Sequence, residues 1–343
     1  MKRQLAALLL TIFALSLTAC GETAAESETR TVYAMDTVMN LTVYGENAAA
    51  ALESAEKELH TLDEAVLSRT AEGSELYALN TSNGETVEYG ADDILPALIE
   101  TALTISDATD GAFDPTLAPV LDAWGFTKDE RRVPSADELK ELLSHTGCGK
   151  VALEKTADGW TVTLLDGAQL DLGGIAKGYA AGRVRTILRE AGVTSAIISL
   201  GGNVAAVGKK PDGSAWTVGL QDPDRPEAYF GTVSIEDACV VTSGAYQRYF
   251  EENGVCYHHI LDPHTGCPAE SGVKSVSVVA RDDTLADALS TALFVMGLDA
   301  GAELWNSSGL SFEAVFVTDD NTVWITPGLA GRYRSDRPYQ ILE

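Results

Sequence analysis

Residues 171–200 read DLGGIAKGYAAGRVRTILREAGVTSAIISL. A strand end stops at paired glycines, an amphipathic helix is predicted over 175–191, and 195–200 returns as a strand. Short strands then dominate, at 216–220, 232–235, 238–242 and 276–279. Helices are predicted at 284–296 and 300–307, and strands at 312–317 and 322–325 close the pattern. Upstream, 31–45 alternates β-formers as an opening strand or hairpin, and 48–67 carries helical apolar spacing. Further helices are predicted at 94–109 and 135–145, the latter with Ser135 and Glu138 as a capping box. Residues 151–165 form a hairpin about Asp158-Gly159. Helices and strands interleave without strict βαβ alternation, so the class is α+β in a single compact unit rather than a doubly wound sheet.

The chain of 343 residues carries 51 acidic against 24 basic side chains, a formal charge of −27. Such a field repels polyphosphate backbones, which argues against a nucleic-acid partner. It also repels an anionic nucleotide, so a site for one needs a metal, a cation or backbone amides. Residues 1–19 read as an export signal: Lys2 and Arg3, an apolar stretch, then Leu17-Thr18-Ala19. With Cys20 that ending resembles a bacterial lipobox, which implies a lipidated Cys20 and a tether over 20–30, and leaves 31–343 as the folded domain. The expected location is the outer face of the cell membrane. Cys148, Cys239, Cys256 and Cys267 allow one or two disulfides there, with free thiols the simpler alternative.

Four segments carry chemistry. Asp171-Leu-Gly-Gly-Ile-Ala-Lys-Gly-Tyr179 puts free backbone amides, a helix N-terminus and Lys177 where an anion could sit, although a tight turn reads as well. Asp287-Ala-Leu-Ser-Thr291 aligns Asp287 with Thr291 on one helix face, with Ser290 beside them, an oxygen set suited to Mg²⁺. The alternative there is ordinary N-terminal helix charge from Asp282, Asp283 and Asp287. Tyr257-His-His-Ile-Leu-Asp-Pro-His-Thr-Gly-Cys267 gathers histidines, but His258 and His259 face opposite ways on a strand, so one serves as a general base or a phosphate contact rather than both as metal ligands. Thr242-Ser-Gly-Ala-Tyr-Gln-Arg-Tyr249 reads as a polar turn in which Ser243 and Arg248 could meet phosphate, or equally as a plain turn leading to a surface helix.

In this order the segments resemble the ApbE family, the FAD:protein FMN transferases. Further matching stretches are Met35-Asp-Thr-Val-Met39, Ser74-Glu-Leu76 with Leu79-Asn80, Gly111-Ala-Phe-Asp-Pro-Thr116 through Trp124-Gly-Phe126, and Leu200-Gly-Gly-Asn203. The resemblance implies T-fold-like mixed sheets with packed helices. It implies a flavin pocket at Met35, Ala112, Phe113, Asp114, Asp171, Lys177, Ser243 and Ile260. It implies Mg²⁺ held by Asp287, Thr291, Ser290 and the Gly174 carbonyl, and His259 as catalytic base. The implied reaction moves FMN from FAD onto a Thr or Ser of an exported acceptor protein and releases AMP. FAD hydrolysis to FMN and AMP, or flavin binding without turnover, are the alternatives. The chain departs from many relatives at Thr70, where they carry an aromatic residue, at Ser290, where others carry Asp, and at Lys177.

Overall fold

The computed structural model describes residues 26–343 apart from 127 and 129. The signal and Cys20 lie outside the described residues. The chain opens with strands β1 (Ser27–Ala34) and β2 (Thr37–Tyr44), helices α1 (Ala48–Thr61) and α2 (Glu75–Asn80), and strand β3 (Val87–Gly90). Helices α3 (Ile94–Ala108), α4 (Ala118–Trp124) and α5 (Ala136–Leu143) precede strands β4 (Val151–Lys155) and β5 (Gly159–Leu164). Helix α6 (Ala176–Glu190) leads to β6 (Ser195–Leu200), β7 (Asn203–Gly208), β8 (Trp216–Asp222), β9 (Arg225–Ile235) and β10 (Cys239–Gly244). Then come β11 (Tyr249–Glu252), β12 (Val255–His258), β13 (Val273–Ala280), α7 (Asp283–Ser307), β14 (Phe312–Thr318), β15 (Val323–Ile325), β16 (Tyr333–Arg334) and β17 (Tyr339–Ile341).

Nine strands form one sheet in the order β1-β2-β6-β7-β10-β13-β14-β15-β17, antiparallel except for the β15–β17 pair. Its period-two alternation sends Val241, Val276, Val278, Ala314 and Phe316 into a core shared with the helices. Val240, Val279, Val315 and Val317 go to the opposite face, against the three-stranded sheet β16-β9-β8. Both faces of the central strands are therefore covered, which is why β13 is buried along nearly its whole length, its polar Ser275 and Ser277 included. The architecture is α+β with mixed sheets, as expected.

Several boundaries differ from the sequence reading. Strand β1 begins at Ser27, so the last four residues assigned to the tether belong to the folded domain. The polar turn expected at 242–249 is in its first half the end of β10, with Ser243 paired to Val276. Ser135 caps α5 through Glu138 N, but the Glu138 carboxylate pairs with Arg132 instead of closing the box. The two late helices are one element interrupted at Gly297, whose φ of 76° no helix accommodates. Among the described residues Cys148, Cys239, Cys256 and Cys267 are free thiols, so the disulfides allowed by the count do not form.

Helices α6 and α7 cross tightly because α6 presents small residues. A Cβ added at Gly178 would lie 2.2 Å from the Asp283 carbonyl oxygen and 2.6 Å from Asp287 Cβ. At Gly182 the nearest atom, Asp283 Oδ2, would be 3.7 Å away, an ordinary contact. Gly178→Ala is therefore expected to destabilise the fold by about 3 kcal/mol, the upper range for overpacking, read as a lower urea midpoint. Gly182→Ala should be neutral or stabilising by up to about 1 kcal/mol from helix propensity. Equal midpoints for the two variants would refute the close crossing.

Candidate active site

The crossing assembles the site. Asp287 is buried on α7, and its Oδ2 accepts a hydrogen bond from Gly178 N at 2.7 Å. That amide belongs to the first turn of α6, where N–H groups lack intrahelical partners, so the carboxylate completes the turn and meets the positive end of the helix. The amide that the sequence offered to an anion is thus already taken at this position. Of the three acids near the start of α7, Asp282 caps the helix through Leu285 N. Asp283 pairs with buried Arg185 at 2.6 Å. Asp282 is exposed, and of the two buried acids only Asp287 has no ion pair among the described residues, so the ordinary helix-charge reading holds for its two neighbours and fails for it.

Burial pushes the Asp287 carboxyl up from its usual range, opposed by the charge of Lys177 and by hydrogen bonds from Gly178, Asn203 and the Lys177 backbone. Around it stand neutral oxygens. Ser243 Oγ lies 2.7 Å from Ser290 Oγ and 3.4 Å from Thr291 Oγ1, and Ser290 Oγ donates to the Asp287 carbonyl at 2.8 Å. Gly174 faces the same point: a Cβ there would sit 3.7 Å from Thr291 Oγ1 and 3.1 Å from the Phe113 ring. The glycine turn and the late helix therefore meet, with Ser243 delivered from β10. No group of three or more His, Cys, Asp or Glu able to hold a metal exists among the described residues. One carboxylate without a cationic partner among neutral oxygens fits a hard divalent ion that takes its remaining ligands from phosphate and water.

Some of the residues expected to form a flavin pocket lie against the glycine turn. Asp171 N donates to the Pro115 carbonyl at 2.8 Å, which lays the Ala112-Phe-Asp-Pro stretch alongside Asp171. Asn80 clamps the adjoining backbone, accepting from Leu170 N at 2.7 Å and donating to its carbonyl at 2.9 Å, which gives the Leu79-Asn80 match a physical role. Ala112, Phe113 and Ile260 are buried in the main core. The Asp114 carboxylate is occupied by its own turn, accepting from Thr116 N and Thr116 Oγ1 at 2.7 and 2.6 Å. A cleft of about 510 Å³ opens beside Asp114, lined also by Asp110, Cys148 and His264. It contains none of the oxygens around Asp287, so the two features are distinct.

Met35 and Asp36 turn the β1–β2 hairpin with φ of 50° and 55°, left-handed values uncommon for such side chains. Arg248 Nη2 donates to the Asp36 carbonyl at 3.4 Å, which ties this turn to the segment carrying His259. Half-buried His259 places Nδ1 3.2 Å from the Arg248 carbonyl, so Nδ1 carries the proton and Nε2 keeps its lone pair. Burial, with help from Arg248 and Lys177, pushes its pKa down to about 4. His258 faces the other way as predicted, with Nε2 3.2 Å from the Ala269 carbonyl and its ring edge-on to Phe294. Lys177 folds back over the turn, donating to the Gly173 carbonyl at 3.1 Å. Its charge favours ionised Asp287 and neutral His259 at once.

The ApbE family profile matches residues 35–316. The chain belongs to the ApbE family. A FAD:protein FMN transferase of Treponema pallidum is 37% identical over 335 residues, covering 92% of this chain and 91% of the relative. One from Klebsiella pneumoniae is 36% identical and covers 72% and 76% respectively. The crystal structure of an ApbE protein from Thermotoga maritima superimposes with a TM-score of 0.79 at 35% identity, covering 87% of this chain and 96% of that one. The apo flavinyl transferase ApbE of Pseudomonas stutzeri gives 0.75 at 32% identity, covering 86% and 91%. Membership accounts for the order of motifs along the chain. Two parts of the site drew no specific role from sequence: Arg69, in contact with Asp171, and Asn203, buried beside Asp287.

Proposed function

We propose that the protein is a Mg²⁺-dependent FAD:protein FMN transferase. The observation that carries the reading is the meeting of Asp287 and Thr291 with the Gly174–Gly178 turn around one buried, otherwise unpaired carboxylate. Asp287, Thr291, Ser290 and the Gly174 carbonyl would hold the ion, which supplies charge neutralisation at the FAD pyrophosphate. Asp171, Asp114, Met35, Ile260 and Ser243 bind and orient the nucleotide, while Lys177 offsets charge that the −27 chain would otherwise repel. His259 Nε2 takes the proton from a Thr or Ser hydroxyl of the acceptor protein as that oxygen bonds to the FMN phosphorus. The phosphoanhydride bond breaks and AMP leaves. Cys20 anchors the chain by lipid at the outer face of the membrane, where exported acceptors are met.

Purified protein incubated with FAD, Mg²⁺ and an acceptor domain tests this. Flavin fluorescence should migrate with the acceptor on a denaturing gel, AMP should appear in equal amount, and EDTA should stop both. Fluorescence found only in solution would identify a hydrolase, and retained FAD without AMP a binding protein. In cells the activity should sediment with membranes and be freed by detergent; a soluble activity would remove the anchor.

A further inference from the structure

Asp171 is not a free carboxylate waiting for a ligand. Its Oδ1 accepts from Gly173 N at 2.8 Å, which shapes the glycine turn, and its Oδ2 takes Nε of Arg69 at 2.7 Å. The same guanidinium reaches the other way, with Nη2 2.8 Å from Asp122 Oδ1 on α4. Lys128 approaches Asp122 from outside at 3.4 Å. Arg69 is only 14% exposed and Asp171 19%, so the contact is sheltered from the solvent that weakens surface pairs.

We propose that Arg69 is a positioning residue for flavin-nucleotide binding, acting through Asp171. The inference rests on the reading of Asp171 as part of the FAD site. A planar guanidinium can hold two carboxylates at fixed separation from one side chain, and here it ties the glycine turn to α4. It also supplies the positive charge between two acids that would otherwise repel each other beside an anionic ligand. Without it Asp171 keeps its bond to Gly173 but loses its lateral anchor. The turn is then free to shift, and excess negative charge faces the pyrophosphate. The consequence falls on nucleotide affinity more than on the chemical step, because Arg69 touches neither Asp287 nor His259.

The test is steady-state kinetics of AMP release by the full chain at several FAD concentrations. Arg69→Met should raise KM for FAD by about tenfold or more, with the loss in kcat smaller than the rise in KM. Arg69→Lys should recover part of the affinity, since an ammonium can serve one carboxylate but not both. Arg132→Met, which breaks the surface pair with Glu138, serves as the control and should leave KM alone. A KM within twofold of the parent in Arg69→Met, or a fall in kcat at unchanged KM, overturns the proposal. If Arg69→Met does not fold, Asp122→Asn decides: it loosens only the outer arm and should raise KM in the same direction, and an unchanged KM overturns the idea. If the parent binds FAD without turnover, the dissociation constant replaces KM in each comparison and only the transferase reading falls. If the parent does not bind FAD at all, both readings fall.

Discussion

Asp287→Asn is expected to lower AMP release from FAD by about 10³-fold, because several kcal/mol of phosphate charge stabilisation depend on the one carboxylate in the oxygen cluster. The substitution isolates charge from shape. Asn retains a carbonyl oxygen that can accept from Gly178 N, so the α6–α7 crossing keeps its hydrogen bond. It also removes a buried carboxylate that has no ion-pair partner, an arrangement that costs stability in the metal-free fold. In EDTA the variant should therefore melt at or above the parent temperature. Added Mg²⁺ should raise the melting temperature of the parent and leave the variant unmoved, since a ligand stabilises only when it binds the native state in preference to the unfolded one. Asp287→Ala should lose the same activity but fall in stability by about 1–3 kcal/mol, the range for a buried amide left without its acceptor. Activity retained in Asp287→Asn would remove the metal assignment. An equal Mg²⁺ shift in parent and variant would place the ion elsewhere.

How far the sequence carried depends on the range of the interactions involved. Spacing along one helix put Asp287 and Thr291 on a common face, and the Gly-Gly pair marked a turn before α6; both are local signals. That the two stretches touch followed only from family resemblance, because Gly178 and Asp287 meet across a tertiary crossing 109 residues apart in sequence. Helix α4 was hidden by its own punctuation. Its Pro near the first turn and Gly125 at the C-cap, with φ of 74°, are start and stop signals of a short helix, yet a run of Gly and Pro reads as loop. The aromatics noted there pack as a satellite core, Trp124 stacking on Phe126 and donating Nε1 to the Gly266 carbonyl at 2.7 Å. Ser243 read as a turn residue because polar side chains are rare in a central strand. It stands at the end of β10, where its hydroxyl faces those of Ser290 and Thr291 on α7. Arg69 left no local trace at all, since its partners come from two distant segments and an arginine after a helix usually faces solvent.

The second large effect concerns proton transfer. His259→Asn should slow flavin transfer by about 10²–10⁴-fold, the range for a positioned general base, with little change in KM for FAD. Asn is the apt replacement because its amide can still meet the Arg248 carbonyl that now holds Nδ1. The pH profile distinguishes this base from an ordinary histidine. With its pKa pushed down to about 4, His259 is neutral throughout the range in which a typical imidazole would be gaining a proton. Transfer by the parent should therefore hold its rate from pH 8 to about 5 and fall only near pH 4, without a midpoint near 6.5. Stability must move with it. Between about 4 and 6.5 the unfolded chain binds a proton at this residue that the native one does not, so this contribution is present above pH 6.5 and is lost as pH falls through that window. The acid-side loss of stability should be shallower in His259→Asn than in the parent, because the mismatch has been removed. An acid limb centred near 6.5 in the parent would show that the ring is solvated like a surface imidazole, and transfer undiminished in His259→Asn would assign the proton to another acceptor.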